Sequence, residues 1–269
     1  MNRKKILFIV VIFIFLIGSG FNGMISPIVN AEETELSGEE VMEKVYNRDE
    51  GDDRESTLKM VLINKHGSQR VREIKQFNKT LENVEKKIMF FLSPQDVRGT
   101  SFMNWSYQDG RDDSQWIYLP ALRKVKRISA ENKSDYFMGS DFTYDDMGDR
   151  QLEEDKHRLL RTEEIDGETF YVVESIPING DYIYSKTISW VIKDKWVGLK
   201  KEFYDQKGNL LKELKVNEYQ EIDGILTIIE SEMENLQNGH RTQIILSDIV
   251  YSTGIDESKF TERNMKLGL

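Results

Sequence analysis

The sequence predicts a mainly β (α+β) chain built around one large antiparallel sheet, and three observations predict it. From about residue 58 onward apolar and polar residues alternate with the period of two expected of strands. Asp-Gly and Asn-Gly pairs stand between runs of strand length, the strongest short-range hairpin signal. One segment alone, near residue 40, carries convincing helical spacing.

The first residues read as a targeting segment. Arg3, Lys4 and Lys5 precede an apolar run of 12 residues, Ile6 to Ile17, and Val29-Asn30-Ala31 sets small residues where a signal peptidase needs them. The run is shorter than the ~20 residues that span a bilayer. Residues 1–31 are therefore expected to be a signal peptide. The long stretch from Gly18 to Ala31 keeps an uncleaved N-terminal anchor as the alternative. No cysteine follows the run, which excludes a lipid-modified N-terminus. With no Pro-rich or Gly/Ser-rich linker and no fixed repeat, residues 32–269 are expected to form one domain.

That domain opens with a helix. Ser37 and Glu40 have the spacing of a capping box, and Val41, Met42, Val45 and Tyr46 fall on one helical face. The acidic stretch Asn47 to Glu55 ends it as a solvated turn. Leu58, Met60 and Leu62 then begin the strand pattern, and "KHGS" turns the chain into "QRVREIKQF". "VEKKIMFFL", "TSFMNWSY" and "SQWIYL" continue it. In the second half "IDGE" (165–168), "INGD" (178–181), "QKGN" (206–209), "IDGI" (222–225) and "QNGH" (237–240) separate further strands. A meander of about ten strands must curl, and its inner face must be filled. It can close into a self-filled barrel or stay half-open around an apolar cavity. The eight methionines after residue 31, with the Trp and Phe residues, suit the second.

Between residues 90 and 150 the sequence resembles the outer-membrane lipoprotein-sorting protein family, the LolA-like lipoprotein or lipid carriers. The resemblance lies in Ser93-Pro94, Gly99-Thr100, Trp116 to Pro120, the basic Arg123 to Arg127, and Met138 to Phe142. It implies a sheet curled into an incomplete, half-open barrel, with one N-terminal helix and a short helical lid segment. It further implies an apolar interior that accepts acyl chains, a lipoprotein or lipid ligand as partner, and a membrane exporter or receptor to work with. The family supplies no catalytic residue and no cofactor.

Composition narrows the remaining classes. Without the three cations of residues 1–31, 34 Lys and Arg face 47 Asp and Glu, a formal charge of −13. Such a surface repels phosphate backbones, so nucleic acid is not an expected partner. A monomer in the periplasm or cell envelope is the expectation. There is no Cys, so the core holds without disulfides.

The run "DYFMGSDFTYDDMGDR" (135–150) interrupts the strands. Its Asp141, Asp145, Asp146 and Asp149 lack the alternate spacing of a Ca²⁺ loop, so no metal is expected. It reads as a short helical lid, Ser140 or Asp141 capping it and Gly148 ending it. Expected cavity-lining residues are Met103, Trp105, Trp116, Tyr118, Phe137, Met138, Phe142, Met147 and Trp190. Arg123, Lys124, Lys126 and Arg127 would meet a headgroup or partner, unless they form a solvated strand face. Enzyme motifs are absent: no His-Glu-x-x-His, no Gly-x-Ser-x-Gly, no Cys nucleophile. A lipid hydrolase pairing Ser140 with His157 is the weaker rival, and a non-enzymatic scaffold with a self-filled barrel the third class.

Overall fold

A computed structural model describes residues 36–180 and 182–269; the expected signal peptide or anchor lies outside the described residues. Thirteen strands make one antiparallel sheet. They are β1 (Asp53–Ile63), β2 (Gln69–Leu81), β3 (Val84–Ser93), β4 (Ser101–Tyr107), β5 (Ser114–Leu119), β6 (Lys124–Arg127) and β7 (Asp155–Ile165). The second half adds β8 (Glu168–Pro177), β9 (Lys186–Ile192), β10 (Val197–Tyr204), β11 (Leu210–Ile222), β12 (Ile225–Asn235) and β13 (His240–Tyr251). Strands β1 to β6 form one meander and β7 to β13 another, and the two are joined where β1 pairs with β13. The outermost strands, β6 and β7, do not pair with each other, so the barrel stays open.

The turns follow the residues that make them. Asp166-Gly167 and Asp223-Gly224 all have positive φ and connect Ile165 to Glu168 and Ile222 to Ile225, the two-residue hairpin geometry. "INGD" instead opens a longer connection into β9. The turn between β9 and β10 has Asp194 and Trp196 at positive φ and no glycine to signal it.

Helix α1 (Gly38–Tyr46) starts as expected. Ser37 Oγ accepts from the Glu40 amide at 3.2 Å and Glu40 Oε2 from the Ser37 amide at 2.7 Å. Gly38 lies so close to β7 that a Cβ there would stand 2.5 Å from the Leu159 nitrogen. Val41 is fully buried against Tyr171, Val173 and Val191 of β8 and β9. A second helix, α2 (Glu262–Leu267), was not foreseen; Thr261 caps it and Met265 is its buried residue.

The ladder carries one face of the sheet from end to end. Leu62 faces Thr242, Thr242 faces Met233, Met233 faces Leu214, Leu214 faces Lys201, Lys201 faces Ser189 and Ser189 faces Val173. This inner face receives α1 at one end. At the other, Phe137 packs against Leu58, Met60, Leu62, Ile74, Met89, Phe91 and Phe102. The outer face of β2 to β5 is covered by Ile255, Phe260 and Met265 of the C-terminal segment.

Residues 135–150 correct the expected lid in detail. They form two 3₁₀ turns, Phe137–Gly139 and Asp145–Met147, stitched by a bridge between Tyr136 and Thr143. Gly148 follows the second turn as expected, but Tyr144 precedes it. Asp141 is spent on tertiary bonds to Thr242 and His240, and Ser140 on bonds within the plug to the Phe137 and Phe142 carbonyls, so neither caps a helix.

Candidate functional site

Between α1 and the Phe137 cluster the inner face is not filled. A cavity of about 530 Å³ is bounded by Tyr46 at the end of α1 and Arg48 just after it, Glu85 and Ser106 of β3 and β4, and Lys201, Phe203, Leu214 and Met233 of the opposite strands. Phe142, Asp145, Asp146 and residues Gly148 to Gln151 bound it from the plug side. A second chamber of about 260 Å³ shares Arg48 and Glu50 with the first. Its walls are largely aliphatic, from Leu58, Ile225, Ile229, Ile244 and Leu246, with Arg54, Gln76 and Tyr251 among them.

The plug is fastened to the inner face by buried polar bonds. Lys212 Nζ, 1% exposed, donates to Asp146 Oδ2 at 2.6 Å and to the Asp141 carbonyl at 3.0 Å. Tyr184 Oη donates to the Asp146 carboxylate at 3.0 Å. The Asp141 carboxylate accepts from Thr242 Oγ1 at 2.7 Å and sits 2.6 Å from His240 Nδ1. Arg72 Nη1 donates to the Met138 carbonyl at 2.5 Å, and Gln115 Nε2 to the Tyr144 carbonyl at 2.7 Å. Bonds reach the plug from β2, β5, β11 and β13, so it bridges both meanders.

Burial dominates the electrostatics. It pushes the Glu85 carboxyl up to about 7, with repulsion from Asp149 adding to it. It pushes Asp145 up to about 6, with Asp146 adding, and raises Asp113 as well. Lys201 is lowered by burial. Burial also works against the Lys87 ammonium, but Asp149 and Glu85 outweigh it and hold its proton more tightly. The larger cavity is therefore lined with charge as well as rings. This departs from the wholly apolar interior that the family resemblance implies.

The expected lining residues are divided between the faces. Phe142 bounds the larger cavity. Phe137 is fully buried, with ring centroids 5.0 Å from Phe102, 5.5 Å from Tyr144 and 6.1 Å from Phe91, and Met138 and Met147 pack on the same cluster. Met103, Trp105, Trp116 and Tyr118 lie on the outer face, beneath Phe260 and Met265. Trp190 is also on the outer face, packed with Phe170, Val172 and Ile192, and its Nε1 donates to Glu163 Oε1 at 2.6 Å. Residue type had suggested these five, but strand alternation turns them away from the cavity. Phe102 points in and Met103, one position on, points out.

The four cations do not form one patch either. Arg123 sits in a turn at positive φ. On β6, Lys124 and Lys126 alternate with Val125 and Arg127, and Val125 packs beside Trp116 on the outer face. All four are exposed.

Ser140 and His157 are not brought together by any bond. Ser140 Oγ donates to the Phe137 carbonyl at 2.7 Å. The His157 ring nitrogens meet Ser175 Oγ at 2.8 Å and the Leu152 carbonyl at 3.0 Å. Among the described residues, no group of three acidic, His or Cys side chains is placed to hold a metal ion. Nor is any helix among them long and apolar enough to cross a membrane.

Sequence reasoning passed over Arg54, Gln76, Glu85, Lys201 and Lys212. Gln76 and Asn78 were within reach, because the period of two running from Ile74 sets both amides on the inward face of β2.

An open antiparallel half-barrel, with a helix and a bolted plug over its inner face, defines the class of the lipoprotein-sorting fold. A family model described as uncharacterized protein-like matches residues 83–267. An outer-membrane lipoprotein-sorting protein domain from Vibrio parahaemolyticus is 37% identical, with 85% of this chain and 98% of that one covered and a TM-score of 0.80. A DUF1329 family protein from Desulfovibrio piger is 31% identical, with 85% and 97% covered and a TM-score of 0.81. The chain belongs to the DUF1329 family, the family it shares with that lipoprotein-sorting protein domain. A LolA superfamily protein from Nitrosomonas europaea, 21% identical with 86% and 100% covered and a TM-score of 0.66, shares the fold. No curated protein matches the chain.

Proposed function

We propose that the chain is an exported, non-enzymatic carrier that takes the acyl chain of a lipoprotein or lipid behind its plug and escorts it between membranes or to an exporter. One observation carries this: a cavity of about 530 Å³ lies behind a segment held to both meanders, with a smaller, largely aliphatic chamber that shares Arg48 and Glu50 with it. Family membership supports the same reading. Residues 1–31 would deliver the chain to the periplasm or cell envelope, as a cleaved signal or as an anchor.

Each methylene taken from water stabilises the complex by about 0.8 kcal/mol. An acyl chain can therefore be held by burial in the aliphatic chamber, with Phe142 of the plug lining the larger cavity next to it. Release requires the plug to move, which breaks the Lys212–Asp146 pair; a membrane receptor that competes for the chain would supply the drive. The scaffold reading has its own support, since Phe137 and α1 already fill both ends of the inner face.

The test is native mass spectrometry of protein purified from its own host, followed by uptake of an apolar dye and its competition by fatty acid. Near-stoichiometric lipid, or dye uptake that fatty acid reverses, is expected. Phe142→Glu should abolish retention with the circular dichroism unchanged. An empty protein that takes up neither dye nor fatty acid would leave the scaffold reading standing.

A further inference from the structure

Three polar side chains on the inner face of β1 and β2 have atoms with no partner. The register sets Ser56 opposite Gln76 and Arg54 opposite Asn78. Gln76 Nε2 donates to Asn78 Oδ1 at 2.7 Å, and Asn78 Nδ2 donates to Glu85 Oε1 at 3.2 Å. When ionised, the Glu85 carboxylate can only accept, and it then fixes which way both amides point. Asn78 must turn its NH₂ to Glu85, and Gln76 must turn its NH₂ to Asn78. What remains is Gln76 Oε1, an acceptor without a donor on a side chain only 4% exposed, in the wall of the smaller chamber.

Arg54, in the same wall, has a buried Nε with no acceptor, and the fully buried Ser56 has a hydroxyl with no partner. Leaving a buried polar group unpaired is unfavourable, and here three such atoms fall on adjacent positions of two strands amid aliphatic side chains. One free acceptor and one free donor in the wall of one chamber are the complement of a single chemical group. A secondary amide offers an N–H to Gln76 and a carbonyl to Arg54. An ester or a carboxylate offers acceptors only and leaves Gln76 unsatisfied.

We propose that the smaller chamber selects acyl chains attached through an amide, with the amide N–H on Gln76 Oε1 and its carbonyl on Arg54 Nε. The proposal rests on the carrier reading and adds to it the chemistry of the linkage that is recognised.

Displacement of anilinonaphthalene sulfonate from the full chain tests it, using N-methyldecanamide and methyl decanoate as competitors of equal length. The amide is expected to displace the dye at about one tenth of the ester concentration, the scale of one satisfied buried hydrogen bond. In Gln76→Met that ratio should fall towards one. If Gln76→Met does not fold, Gln76→Leu is read in the same way and should lower the ratio. Equal displacement by both compounds in the parent, or an unchanged ratio in the variants, overturns the proposal while the carrier reading stands. Displacement by neither compound overturns the carrier reading with it.

Discussion

Glu85 is the residue whose surroundings say most about the interior. Its carboxyl is pushed up to about 7 by burial, then by the charges of Asp149 and Glu50, against the opposing pull of Lys87 and the bond from Asn78. Between the ordinary carboxyl value near 4.5 and about 7, the folded chain holds a proton that the unfolded chain has released. Stability attributable to this group is therefore present at low pH and is lost as pH rises through that window. Glu85→Gln removes the buried charge, so the variant should melt above the parent at pH 8 and with it near pH 4.5. At about 1.4 kcal/mol per pKa unit, the difference at pH 8 is of the order of a few kcal/mol. Thermal melts across this range check the sign; a variant that melts below the parent at pH 8 contradicts it. Protonation also turns Glu85 into a donor, which frees Asn78 and Gln76 to reverse. The preference for amide over ester should then weaken below pH 7 in the parent.

The plug is the element on which structure and ligand access meet. Phe137 is its centre, wholly buried between the rings of Phe91, Phe102 and Tyr144. Phe137→Ala should cost about 3–5 kcal/mol, the usual range for truncating a buried Phe, read as a lower urea midpoint with the slope unchanged. Dye uptake should rise at the same time, because the plug closes the cavity; a destabilised variant with unaltered uptake would confine Phe137 to packing. Elements were legible where their cause is local. The Ser37–Glu40 capping box and the Asp166-Gly167 and Asp223-Gly224 turns are set by residues within a few positions of one another. Helix α2 has six residues, too few for a helical period to register. The plug was legible as an interruption but not as two 3₁₀ turns, since Asp146 is held by Lys212, 66 positions away. The cavity lining was misjudged for a related reason. Residue type marks Met103 and Trp116 as suitable, but only the register shows that they face outward.

At the scale of the whole molecule, the two meanders share one seam and one fastener. The seam is the pairing of β1 with β13, which joins residues 53–63 to 240–251. The fastener is the plug, bonded to Arg72 and Gln115 on one side and to Lys212 and Thr242 on the other. Both cavities take walls from both meanders, so a ligand in either should stabilise them together. The four tryptophans report on this separately: Trp105 and Trp116 lie in the first meander, Trp190 and Trp196 in or beside strands of the second. A Trp105→Phe, Trp116→Phe double variant leaves fluorescence from the second meander, and Trp190→Phe, Trp196→Phe leaves it from the first. Both should give the same melting midpoint. A ligand at a hundred times its Kd contributes about 2.7 kcal/mol, which for a chain of this size raises Tm by about 5–10 °C. Both reporters should move by that amount when N-methyldecanamide is added. A shift confined to one pair of tryptophans would mean that the meanders unfold independently and that the ligand is held by one of them, with the plug anchored there rather than bridging the two.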